Sequence, residues 1–334
     1  MITHGGDLTQ AIQRYGRPLA RWIDLSTGIN PHPWPVPTVP LELWHHLPRP
    51  DDLPETAQQQ LGFPHALPVP GTQSVIQVLP HLRPPCRVAI SPITYAEHAL
   101  CWKRQGHTVI SWTPGQSLDD IDVLVIVNPN NPTGQTFSPA ILWDWHTSLI
   151  RRGGWLIVDE AFMDATPEQS LLSQLPDFAR STLPPGLVIL RGLGKFFGLA
   201  GARIGLVGAS PTLLNPLADM IGPWPVSGPA RWLAQQALQD TTWQDSMRHR
   251  LKKESVRLRT LLEQHGFRPQ GGTALFQWLP YSHAYRLHDH LAQQGLWTRH
   301  FDSFNGLRIG LPPDEISWQH LSDGLLSYRS RFSS

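Results

Sequence analysis

Lys195 stands in R-G-L-G-K-F-F-G-L-A-G-A-R-I-G (191–205), just after the apolar run Leu187–Leu190 and eight residues before Arg203. An apolar run of that length reads as a buried strand, so the lysine falls on a glycine-rich turn at a strand end. Amid Phe196, Phe197 and Leu199 it would be partly desolvated, and desolvation favours the neutral, nucleophilic form of an amine. Two further motifs share this setting. N-P-N-N-P-T-G (128–134) follows the apolar run Val123–Val127, and W-L-I-V-D-E-A-F (155–162) ends a strand pattern at Asp159. Open α/β sheets bind ligands at the C-terminal ends of their strands. A nucleophile, a side-chain amide (Asn131) and a carboxylate (Asp159) at three such ends form a constellation with separable chemical uses. Each alone has a plainer reading: a surface lysine, an N-P-T-G turn and a strand-end turn carboxylate.

The elements that must position these residues alternate. Strands are expected at Arg87–Ser91, Thr108–Trp112, Val123–Val127, Leu156–Asp159, Leu187–Leu190 and Ile204–Gly208, with helices near Tyr95–Gln105 and Pro139–Arg152 between them. That alternation predicts a mostly parallel sheet covered on both faces. Upstream, residues 1–50 carry prolines at 31, 33, 35, 37, 40, 48 and 50 that exclude a long helix. A short helix is expected over 52–61 and another from Gly71 to about Leu82 or Pro84. After Pro229 come helices over 229–239, 243–265 and 283–294, extended segments over 272–279, 296–300 and 307–311, and a last helix from Asp314 to Arg331. This texture predicts a small α+β C-terminal domain. The division expected is an N-terminal arm over 1–45, a large domain over 46–235 and a small domain over 236–334.

A chain of 334 residues can bury a large core. With 27 basic against 26 acidic residues it has no field for polyanions, so a nucleic-acid partner is not expected. No apolar run reaches the length of a membrane span, and the polar start is not a signal peptide. Cys86 and Cys101 are too few for a disulfide framework or a four-ligand zinc site. No metal is expected: the 16 histidines are scattered, and His45–His46 and His288 with His290 read as solvated surface. A cytoplasmic protein is the expectation.

The lysine, asparagine and aspartate motifs resemble those of the fold-type I enzymes that use pyridoxal 5′-phosphate, in the aminotransferase class I/II family. That resemblance implies an α/β fold with a large α/β/α domain around a mostly parallel sheet and a small α+β C-terminal domain. It implies that Lys195 is catalytic and holds the cofactor, that Asp159 faces the pyridine nitrogen, and that Asn131 donates to the ring's O3′ oxygen. Tyr95, in S-P-I-T-Y, would stack on the ring. Gly71, Thr72 and Gln73, with Arg203, would cradle the phosphate. Arg308, in N-G-L-R-I-G-L (305–311), would grip the substrate's α-carboxylate. Three positions depart from the pattern. Phe162 stands where many relatives carry a tyrosine, Gly192 and Gly194 replace serine or threonine hydroxyls, and Leu47 replaces a tyrosine that reaches in from a second subunit.

Within the family, His4-Gly5-Gly6 and D-L-S-T-G-I-N-P (24–31) resemble the branch of threonine-phosphate decarboxylases of cobalamin biosynthesis, as do V-D-E-A-F-M-D (158–164) and G-K-F-F-G-L-A-G (194–201). This implies that His4, Gly5, Gly6, Asn30, Arg299 and Arg308 contact a phosphorylated amino-acid substrate, and that the N-terminal arm closes over the active site. It also implies a homodimer, with a cobinamide-forming amide synthase as candidate partner. A histidinol-phosphate-type aminotransferase would use Lys195, Asp159, Asn131, Arg203, Arg299 and Arg308 equally well. A catalytically weak scaffold assisting corrinoid amidation has the two glycines in its favour and intact Lys195 and Asp159 against it. G-L-G-K-F lacks the spacing of both nucleotide-binding fingerprints, which excludes a nucleotide-binding enzyme.

Overall fold

The computed structural model describes residues 4–332. Among them thirteen strands follow in chain order: β1 (Ile23–Asp24), β2 (Ala66–Val69), β3 (Arg87–Ile90), β4 (Thr108–Ser111), β5 (Val123–Val127), β6 (Trp155–Asp159), β7 (Leu187–Gly192), β8 (Gly205–Gly208), β9 (Gly271–Thr273), β10 (Phe276–Pro280), β11 (Leu296–Trp297), β12 (Arg299–Phe301) and β13 (Gly306–Gly310). The chain divides into two compact units. One comprises 33–131 and 135–245, the other 1–32, 132–134 and 246–334. The break falls at 245/246, ten residues beyond the sequence-based boundary. Residues up to His32 join the C-terminal residues in one unit rather than forming an arm of their own.

The first unit is built on a seven-stranded sheet ordered β2-β8-β7-β6-β5-β3-β4. β7, β6, β5, β3 and β4 are parallel, and β8 runs against both of its neighbours. V-L-V-I-V and W-L-I-V-D are buried at every position, as strands covered on both faces must be. Helix Pro139–Ile150 packs on β6; Ser138 caps it by accepting from Ile141 N, and its first-turn proline costs no hydrogen bond. β2 has no counterpart in the sequence reading, because A-L-P-V contains Pro68. It pairs on one side only, and an edge strand tolerates a residue that cannot donate.

The second unit holds a four-stranded antiparallel sheet, β12-β13-β10-β9, and the parallel pair β1–β11. The proline-rich start, which excludes a long helix, still accommodates a short one, Leu8–Tyr15, that the sequence reading did not include. Asp7 caps it by accepting from Gln10 N, and Gly16 ends it in the left-handed conformation. It lies wholly before the first proline, Pro18, and buries Ala11 beside Trp22, Ala292 and Trp297. His288 and His290 are buried, not solvated: His288 bonds Thr298 Oγ1 at 2.9 Å and His290 bonds Ser327 Oγ at 2.8 Å. Among the described residues no helix is long and apolar enough to cross a membrane, and no group of three or more side chains could hold a metal ion.

Candidate functional site

Strand order places the C-terminal ends of β5, β6 and β7 side by side, and each ends in one of the motifs. Asn131, Asp159 and Lys195 line a single cavity of about 170 Å³, joined by Gly71, Thr72, Gln73, Tyr95 and Arg203. Phe162, Gly192 and Gly194 also face it.

The lysine turn is fixed by the aromatics around it. Phe196 and Phe197 are buried, and Trp243 meets the first edge-on and stacks on the second with 5.8 Å between ring centres. Half-buried Lys195 has its Nζ 5.6 Å from the centre of the Phe162 ring. Buried Asp159 accepts from Ala161 N at 3.0 Å through Oδ1, while its Oδ2 bonds His98 Nε2 at 3.0 Å. His98 is itself buried and is a residue that sequence reasoning missed.

Asn131 sits on a loop held by the asparagines on either side of Pro129. Asn128 bonds both backbone groups of Phe137, and Asn130 Nδ2 donates to Ile93 O at 2.8 Å. Tyr95 OH donates to Gln73 Oε1 at 3.0 Å, and Gln73 Nε2 donates to Glu97 Oε2 at 3.1 Å, so the ring's placement depends on the Gly71–Gln73 turn. Burial raises the Tyr95 phenol's pKa above its ordinary range, which keeps it a neutral donor.

The corner of the cavity beside Arg203 is built from backbone. Gly71 (φ 73°) precedes helix Thr72–Val78, and a Cβ there would lie 2.8 Å from Arg203 Nη2. Arg203 is left-handed (φ 51°), a conformation unusual for a residue with a side chain. Gly192 and Gly194 differ. A Cβ on Gly194 would meet Ala200 Cα at 3.1 Å, whereas one on Gly192 would lie 3.8 Å from the Thr72 hydroxyl, an ordinary contact.

Behind the site lies a buried charge network that the sequence reading did not find. Arg191 contacts Glu160 at 3.0 Å and Asp164 at 3.2 Å, and Glu160 also accepts from Ser170 Oγ and Leu171 N. Burial raises the Glu160 carboxyl's pKa, with Arg191 opposing the shift.

The residues expected to meet substrate all lie in the other unit. Arg299 on β12 and Arg308 on β13 are directly opposed in the antiparallel register. Burial pushes Arg299 below the ordinary arginine pKa. Arg308 Nη2 donates to Ser26 O, Gly6 N donates to Ser26 Oγ at 2.8 Å, and Asn30 Oδ1 accepts from His32 N at 2.9 Å. Gly5, Gly6 and Arg308 thus gather around Ser26. His4 is exposed at the start of the described chain.

The family pattern described as aminotransferase class I and II matches residues 59–316. A threonine-phosphate decarboxylase of Pseudomonas aeruginosa is 48% identical over 333 residues, covering 98% of each chain. One from Sinorhizobium is 38% identical over 332 residues, covering 97% of each. A histidinol-phosphate aminotransferase from Sinorhizobium meliloti, solved with pyridoxal-5′-phosphate, superposes with a TM-score of 0.81 over 99% of both chains at 18% identity, which shows the fold. The chain belongs to the class I and II aminotransferase family and, within it, groups with the threonine-phosphate decarboxylases.

Proposed function

We propose that this protein is a pyridoxal-phosphate-dependent, cytoplasmic carboxy-lyase that converts L-threonine O-3-phosphate to carbon dioxide and (R)-1-aminopropan-2-yl phosphate in cobalamin biosynthesis. The observation that carries this reading is a likeness to a protein of that activity that spans both the cavity and the N-terminal H-G-G segment.

The cavity suits the cofactor. It offers one amine (Lys195), one buried carboxylate (Asp159), the amides of Gln73 and Asn131, the rings of Tyr95 and Phe162, and a corner where a side chain at Gly71 would occupy the space beside Arg203. When bound, pyridoxal phosphate supplies the electron sink for the pair left by the breaking bond between Cα and the carboxylate. Lys195 Nζ would attach the cofactor and would be the group placed to return a proton to Cα. Asp159 would hold a proton on the ring nitrogen, with His98 fixing which way the carboxylate faces. Asn131 would donate to O3′, which Phe162 cannot do. Tyr95 would pack on the ring, and Gly71, Thr72, Gln73 and Arg203 would hold the phosphate. Arg308 takes the α-carboxylate in a two-pronged grip. His4, Gly5, Gly6, Asn30 and Arg299 serve the substrate's phosphate.

A homodimer is part of this reading. Leu41, Trp44 and Leu47 are each more than 60% exposed on the segment beside helix Gly228–Gln239, an unusual density of bare apolar surface. The functional reading is tested by supplying cofactor-loaded protein with L-threonine O-3-phosphate and no keto acid. Formation of the amine phosphate is expected. Glutamate formed instead from histidinol phosphate and 2-oxoglutarate would make the protein an aminotransferase.

A further inference from the structure

Ser26 is fully buried and joins two parts of the chain expected to hold opposite ends of one substrate. Asp24 Oδ1 accepts twice from it, from the backbone N at 2.8 Å and from Oγ at 2.6 Å. With its proton committed to Asp24, Ser26 Oγ is an acceptor, and it receives Gly6 N at 2.8 Å. The Ser26 carbonyl receives Arg308 Nη2. Clearance is minimal: a Cβ on Gly5 would lie 2.4 Å from Ser26 O and 3.1 Å from Arg308 Nη2. The preceding residue is fixed on both sides, since Leu25 N donates to Trp297 O at 2.8 Å and Leu25 O accepts from Gly310 N at 2.7 Å.

We propose that Ser26, with Asp24 behind it, is a positioning residue that sets the H-G-G segment and Arg308 in one fixed arrangement and thereby selects substrates carrying both a carboxylate and a phosphate. This inference rests on the functional reading above. A small molecule with two anionic groups gains from both receptors only if their separation is set before it binds, because any ordering left to the binding step is subtracted from affinity. One residue contributes its hydroxyl to the phosphate side and its carbonyl to the carboxylate side. Asp24 matters because it occupies the hydroxyl proton and so leaves Oγ to accept the Gly6 amide.

The test uses cofactor-loaded Ser26→Ala, Asp24→Ala and Asp24→Asn proteins. Ser26→Ala and Asp24→Ala are expected to raise the KM for L-threonine O-3-phosphate about tenfold, the scale of a lost buried hydrogen bond. Their kcat and cofactor affinity should stay within about twofold of wild type, the pattern of lost substrate binding. Asp24→Asn should restore KM, because an amide oxygen still accepts both Ser26 bonds. Inhibition by O-phosphoethanolamine or free L-threonine, each lacking one anionic group, should change little, so discrimination in favour of the doubly anionic substrate falls. Without cofactor, the Gly6 amide should exchange with solvent faster in Ser26→Ala than in wild type. Faster exchange with an unchanged KM would overturn the proposal, and so would a uniform loss of kcat, cofactor affinity and thermal stability. If wild-type protein does not turn over L-threonine O-3-phosphate, the functional reading fails first and this assignment with it. Normal wild-type turnover with variants indistinguishable from it sinks this assignment alone.

Discussion

At the residue scale, the cavity depends on a few contacts with no slack. Gly71 cannot gain a side chain without meeting Arg203, and its backbone (φ 73°, ψ 154°) lies in a region essentially restricted to glycine that costs other residues about 1–3 kcal/mol. Gly71→Ala should therefore weaken cofactor binding about tenfold or more, measured by equilibrium dialysis against pyridoxal phosphate. Gly192 is the reverse case. Its Cβ position is open beside the Thr72 hydroxyl, so Gly192→Ser should be accommodated and should tighten cofactor binding in the same dialysis. His98→Ala would leave the buried Asp159 carboxylate without its side-chain partner and should lower kcat by roughly ten- to a hundredfold, read in steady-state turnover. Lys195, Asn131 and Asp159 were legible in the sequence because each closes an apolar run with a recognisable motif. His98 and Ser26 were not. They act through partners 61 and 282 positions away, and a contact of that kind leaves no local pattern.

At the scale of elements, the strand ends are held by interactions that periodicity does not reveal. β7 carries Arg191 into the network of Glu160 and Asp164, just before the lysine turn. Arg191→Met would leave two carboxylates buried without their cation, and should destabilise the protein by about 3–5 kcal/mol in urea unfolding. Combining it with Glu160→Gln should cost less than the sum of the two changes. The helix carrying His288 adds a pH dependence. Burial, with His300 nearby, lowers that imidazole from 6.5 to about 4. The unfolded chain then binds the proton more readily, so stability is full above about pH 6.5 and is lost as pH falls toward 4, by at most about 3 kcal/mol. His288→Gln should flatten Tm across that window. The buried strands were readable from their apolar runs. β2 was hidden by Pro68, which only its edge position permits, and helix Leu8–Tyr15 by the prolines that follow it.

At the scale of the whole molecule, alternation of strands and helices was enough to anticipate the sheet, while the division into units was not. Long-range pairing decides that division: β1 pairs with β11 and so draws the N-terminal residues to the C-terminal ones. The bare apolar segment Leu41–Leu47 belongs to this scale too. Trp44→Asp with Leu47→Asp should convert a dimer to a monomer in sedimentation, whereas a wild-type monomer would remove the expected second subunit. The most direct test of the account is carbon dioxide released from L-threonine O-3-phosphate by cofactor-loaded protein, in wild type and in Lys195→Ala. The account predicts many turnovers per wild-type chain, one amine phosphate for each carbon dioxide, and none above background in the variant. Undiminished release from Lys195→Ala, or no release from wild type, would contradict it.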